Sequence, residues 1–267
     1  MHDRGFPADT EEPMAEYETI RRTGAGAGTA QIDEGLRSHM NQVYGLMAVA
    51  MVITGLVAWI VGTDFARLVA GEQTMILPAG LLQAMFTSPV KWIIMFAPLG
   101  FVFAISAGMN RMSQGTLQLL FWAFSAVMGL SIAWIFAVFT GASIAQTFFV
   151  TAIAFAGLSL YGYTTKKDLS GMGTFLIMGV IGLIVASLIN IFVASSALQF
   201  AISVIGVLIF AGLTAYDTQN IKTTYLQLRA AEGQEFLGKA AIMGALSLYL
   251  NFINMFMFLL QLFGNRN

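Results

Sequence analysis

The sequence predicts an all-α integral membrane protein with seven transmembrane helices. Charged residues are scarce, long apolar runs recur, and basic residues collect in alternate connections between those runs. The chain is 57% hydrophobic and 10% charged, with a mean hydropathy of +0.76. A soluble domain carries about 25% charged residues. A closed strand barrel is the other architecture that satisfies its backbone in lipid, but it reads as short alternating segments rather than unbroken apolar runs.

Residues 1–38 form a polar tail with eight of the fourteen acidic residues, together with Pro7, Pro13 and the small-residue stretch Gly24–Ala30. It has too little apolar surface to offset the entropy of ordering, so disorder is expected there. The tail is too acidic for a transit peptide and lacks the apolar core of a secretory signal, which leaves the first span as an uncleaved insertion signal.

The transmembrane domain is expected over 39–267, with spans at roughly 41–62, 90–110, 116–138, 143–163, 173–194, 198–221 and 241–263. Each is near the ~20 residues that a helix needs to cross a bilayer. The connection 63–89 is long, and its stretch Leu77–Phe86 reads as a short interfacial or re-entrant helix. Pro98 falls inside the second span and is expected to kink it. Gly108, Gly129, Gly157, Gly179, Gly182, Gly206 and Gly212 recur through the spans, as close helix packing requires.

Orientation follows from lysine and arginine. With the N-terminus cytoplasmic, Arg4, Arg21, Arg22, Arg37, Arg111, Lys166, Lys167, Lys222, Arg229 and Lys239 lie inside, against Arg67, Lys91 and Arg266 outside. Ten against three fits the positive-inside rule, supports an odd number of spans and puts the C-terminus outside.

Residue supply excludes much chemistry. There is no cysteine, hence no disulfide, thiolate metal site or cysteine nucleophile. Histidine occurs only at His2 and His39, both before the first apolar run. A histidine-ligated zinc site or Ser-His dyad within the membrane is therefore not expected. Neither an enzyme nor a resident cofactor is expected, and a net charge of −1 gives no reason to expect nucleic acid as a partner.

One acid sits within an apolar run. Asp217 lies in Leu198–Ile221, about 6 Å before its end at ~1.5 Å per residue, and shares a helical face with Thr214 and Asn220. A carboxylate at membrane depth costs several kcal/mol unless paired, hydrated or protonated, and so marks a functional site; capping or snorkelling at the helix end is the plainer alternative. The last span carries a second anomaly. Gly244, Ser247, Asn251, Asn254 and Gln261 follow steps of 3, 4, 3 and 7, one uncharged polar stripe along a helix. Such a stripe must face protein or water. It is either interhelical hydrogen-bond glue or the wall of a hydrated path. Arg111, ending the second span, is either a partner for Asp217 or an ordinary basic anchor. Trp122 and Trp134 read as packing or interfacial residues.

Three segments together resemble the Bax inhibitor-1 family of transmembrane Bax-inhibitor-motif proteins and their bacterial relatives. They are Thr165-Lys-Lys-Asp-Leu-Ser170, Ala215-Tyr-Asp-Thr-Gln-Asn-Ile221 and Ala245-Leu-Ser-Leu-Tyr-Leu-Asn-Phe-Ile-Asn254. The resemblance covers roughly 39–264. It implies a bundle in which the last helix is central among the other six, and a bacterial cytoplasmic membrane as location. It implies an activity too: some members are pH-sensitive calcium leak pores, with a carboxylate pair between the sixth and seventh helices as proton sensor and an arginine of the second helix as latch. Asp217 matches the sixth-helix aspartate, and Arg111 matches the latch more loosely. Asn251 stands where calcium-leak members have aspartate. A neutral amide removes the like-charge coupling that lets two carboxylates titrate as a unit. It also leaves Asp217 as the one carboxylate for calcium, the candidate transported ion, and hence weak binding. A second activity implied by the resemblance is modulation of a membrane-anchored ATP-dependent protease, with the acidic tail as a recognition element.

Overall fold

The computed structural model describes the backbone of residues 12–231 and 234–267, and side chains over 34–229 and 235–267. The named elements among the described residues are helices: α1 (Glu12–Val69), α2 (Ala79–Thr87), α3 (Val90–Gly108), α4 (Gln114–Ile132), α5 (Ile135–Val138), α6 (Gly141–Thr164), α7 (Ser170–Val193), α8 (Ser196–Ala231) and α9 (Gln234–Phe263). Among the described residues seven stretches are long and apolar enough to cross a membrane: Glu34–Val69, Val90–Gly108, Gln114–Val138, Gly141–Thr164, Ser170–Val193, Ser196–Arg229 and Glu235–Phe263.

The expected spans are recovered, with differences at particular ends. Residues 1–11 of the tail expected to be disordered lie outside the described residues, and from Glu12 the chain is helical. Leu36, His39 and Met40 are buried against the bundle, so α1 packs before its apolar run begins. The third span is two helices. Ala133 N–H turns back to Leu130 O, a tightened last turn, and α5 restarts beside α1, where Phe136 packs on Gly62. α8 does not stop at Ile221 but runs on to Ala231. α3 is continuous through Pro98.

Burial sorts the spans. Two thirds (67%) of the most apolar window of α9 is buried, against 11–39% in the other six. α9 packs against α1, α4, α6 and α8, while α3 leans on α4 and α7 on α8. The core holds Phe121 and Phe124 of α4 edge-on to Tyr249 of α9, at 6.0 and 5.3 Å between ring centroids. Of the glycines expected at contacts, Gly129 meets the backbone of α1 at Thr54, and Gly108, Gly179, Gly206 and Gly212 meet side chains; Gly157 and Gly182 face open space.

The end of the bundle remote from the α8–α9 turn is closed by short segments. Asp64, in the last turns of α1, is buried and accepts from the N–H groups of Met75, Ile76 and Leu77 at 2.7–2.8 Å. This fixes the long connection over α1. α2 then docks through Leu82, buried with Val61 and Ala133. Stretch 77–86 is thus largely helical, as its composition suggested. Residues 265–267 return to α5 and α6: Thr140 N–H bonds Asn265 O and Asn267 N–H bonds Val138 O, each at 3.0 Å.

Candidate functional site

Asp217 is half-buried on α8, and α9 brings Asn251 against it: the Asn251 Nδ2 donates to Asp217 Oδ2 at 2.7 Å. Asn251 is itself 4% exposed. The two residues singled out in the sixth and seventh spans are therefore direct partners. Their neighbours define a cavity of about 130 Å³, lined by Asp217, Asn220, Ser247 and Gly244 together with His39, Met109, Ile221, Thr224, Ala240 and Met243. That volume holds several waters, and its wall is polar enough to keep them. The cavity lies at the end of the bundle where α8 turns into α9, and Asn220 is exposed at its rim.

The other candidates divide. Thr214 is buried and donates to Phe210 O of its own helix at 2.7 Å. Asn254 likewise turns back, its Nδ2 reaching Leu250 O at 2.8 Å. Gln261 belongs to a separate cluster at the far end, where its Oε1 accepts from Gln199 Nε2 at 2.7 Å and from Ser203 Oγ at 3.1 Å. Between Asn251 and Gln261 the two helices close on apolar side chains. Phe210 stacks on Phe258 with centroids 6.0 Å apart, and Ile209, Leu213 and Met255 are buried. The polar stripe of α9 is thus interrupted: it serves a cavity at one end and a hydrogen-bonded cluster at the other.

Arg111 is exposed in the turn after α3 and is not part of the cavity wall; its neighbour Met109 is. Among the described residues the ion pair is Lys239–Glu235 at 3.1 Å, and none joins Arg111 to Asp217. Lys222, one turn beyond Asp217, points to α6, where its Nζ donates to Tyr163 O at 3.0 Å and lies 5.2 Å from the ring centre. A carboxylate in a spanning helix with one neutral donor needs water, a mobile cation or a proton to offset the rest of its charge. Among the described residues no three of His, Asp or Glu gather as metal ligands.

Sequence reading missed several neighbours. His39 is 6% exposed, lines the cavity and packs its ring, tilted, against Tyr225 with centroids 4.9 Å apart. Tyr44 OH, Ser159 Oγ and Thr218 Oγ1 form a hydrogen-bonded chain from α1 through α6 to α8, ending one residue from Asp217. Thr54 Oγ1 joins Tyr249 OH at 2.6 Å and donates to Ser125 O at 2.8 Å. His39 and Tyr44 escaped because they flank or open the first apolar run. Thr218 could have been read from its place beside Asp217. Trp122 is half-buried with its ring nitrogen unpaired, while Trp134 is 37% exposed.

Comparison with known proteins places the chain in a family. A family profile described as "Inhibitor of apoptosis-promoting Bax1" matches residues 36–267. The chain belongs to the Bax inhibitor-1 family. Within it, the inner membrane protein YbhL of Escherichia coli K12 is 44% identical over 233 residues, 87% of this chain and 93% of that protein. A protein of Rickettsia prowazekii is 44% identical over 234 residues, 88% of this chain and 92% of its own. One from Caulobacter vibrioides is 43% identical over 244 residues, 91% and 95% respectively. With seven helices fit to cross a membrane and an inner-membrane relative at this identity, the chain is a multi-pass protein of the bacterial cytoplasmic membrane.

Proposed function

We propose that this Bax inhibitor-1 family member is a cation leak pathway, with calcium the ion, in which Asp217 is the first binding site on the cytoplasmic side. The observation that carries the proposal is the Asp217 carboxylate, facing a small polar cavity with the neutral Asn251 as its hydrogen-bond partner. A mobile cation would complete what the protein leaves unsatisfied. One carboxylate with amide and hydroxyl oxygens binds a hard cation weakly, which suits passage rather than storage. α9 is the central wall of the path. The apolar layer of Phe210 and Phe258 is the closed barrier, and opening requires α8 and α9 to part there.

The test is calcium efflux from proteoliposomes followed with an entrapped dye. Asp217→Ala is expected to bring efflux to within about twofold of protein-free vesicles, while Asp217→Glu retains most of it, because the charge and not the residue length attracts the ion. Equal efflux from wild type and Asp217→Ala would end the proposal.

A further inference from the structure

A hydrogen bond between Tyr44 and Ser159 joins α1 to α6 near the end of the bundle that holds the Asp217 cavity. Towards the other end they diverge and leave a groove of about 1110 Å³ whose floor is α9, reached at Phe252 and Phe256. The wall is overwhelmingly apolar, and the one charged residue in it is Arg67, in the last turn of α1. From Thr54 to Arg67 the groove runs about 20 Å at ~1.5 Å per residue, against the ~15 Å that one leaflet contributes to a ~30 Å hydrocarbon core.

We propose that the groove between α1 and α6 is a phospholipid site, in which an acyl chain lies against α9 and Arg67 holds the phosphate. A groove open to the bilayer along its side admits a chain without desolvating any polar group. The charge at its end fits the other half of the same molecule. Arg67 Nη1 donates one long hydrogen bond, 3.4 Å, to Gln73 O, leaving most of its five N–H donors for phosphate oxygens. The neighbouring Asp64 feels the charge of Arg67 but makes no ion pair with it, because its carboxylate is turned to three backbone N–H groups. A second cation, Arg266, lies 6.0 Å from the ring centre of Phe139, itself part of the groove wall. The position matters for the core, because Thr54 lines the groove and bonds Tyr249 of α9. A lipid chain there contacts the most buried helix of the bundle directly. This site stands apart from the leak reading, which rests on the opposite end of the molecule.

The groove can be filled without disturbing the helices, since a Cβ at Gly55, which lines it, meets nothing within 4 Å. Gly182 on α7 is equally open and lies outside the groove, so it serves as control. The full chain in mild detergent is offered dioleoyl phosphatidylglycerol or dioleoyl glycerol, which has the same chains without phosphate, and adducts are counted by native mass spectrometry. Wild type and Gly182→Phe are expected to retain the phospholipid, with the diacylglycerol about tenfold weaker. Arg67→Gln should bring the two lipids to equal, weak retention, and Gly55→Phe should lose both. Retention by Gly55→Phe equal to that of Gly182→Phe, or an unchanged phosphate preference in Arg67→Gln, would overturn the assignment.

Discussion

Because Asn251 Nδ2 lies 2.7 Å from Asp217 Oδ2, Asn251→Asp would set two carboxyl oxygens at hydrogen-bond distance. Two charges that close cannot both persist in a half-buried cavity, so the variant pair must share a proton and titrate as a unit. The expected outcome is a leak that changes roughly tenfold across about two pH units near neutrality in Asn251→Asp, steeper than in wild type. Efflux from proteoliposomes at matched internal and external pH measures it, and identical profiles would refute the coupling. Asp217 and Asn251 were each legible in sequence because each is chemically out of place in an apolar run, and a wrong environment is a strong signal; that they face one another was implied by the family resemblance. Hydroxyl residues give no such signal. Thr214 and Thr218 each satisfy themselves on the carbonyl four residues back, so nothing in the sequence distinguishes Thr218, which also reaches Ser159, from Thr214, which does not.

At the scale of helices, α6 and α8 come backbone to backbone at Gly162. A Cβ there would stand 2.2 Å from the carbonyl oxygen of Ala215, a backbone atom that cannot swing aside. Gly162→Ala must therefore move a helix, at a cost of about 1–3 kcal/mol for an overpacked contact. Gly157, on the same helix, faces open space, so Gly157→Ala is expected to be neutral or slightly stabilising through helix propensity. Thermal unfolding of the two variants in detergent gives the comparison: a lowered midpoint for Gly162→Ala alone is expected, and equal midpoints would contradict the packing. Since Ala215 lies two residues from Asp217, the leak should fall in Gly162→Ala as well. Span positions were legible because bilayer thickness fixes helix length. Which glycines face a neighbour was not, since Gly157 and Gly162 lie in the same span and differ in the face they present. The split of the third span at Ala133 and the extension of α8 past Ile221 were hidden too. The first depends on packing against α1, and the second on a polar helical continuation that hydropathy does not register.

For the whole molecule, the Asp217 cavity and Arg67 lie towards opposite ends, so the direction in which the chain is threaded decides which solution each one meets. Among the described side chains Arg37, Arg111, Lys166, Lys167, Lys222, Arg229 and Lys239 lie towards the end where α8 stops and α9 starts, against Arg67, Lys91 and Arg266 at the other. By the positive-inside rule the basic end is expected in the cytoplasm, since moving lysine and arginine across during insertion is disfavoured. Alkaline phosphatase fused after Asn267 is therefore expected to be active, and green fluorescent protein fused there dark. Placed after Lys239 in truncated chains, the reporters should exchange their behaviour. With that result Asp217 samples cytoplasmic ions, and Arg67 meets headgroups of the outer leaflet of the same membrane. The reverse result would turn the Asp217 cavity outward. Efflux would then have to begin at the Gln199–Ser203–Gln261 cluster, which offers a cation amide and hydroxyl oxygens but no carboxylate. The orientation assay thus bears on the ion's direction of travel as directly as on topology.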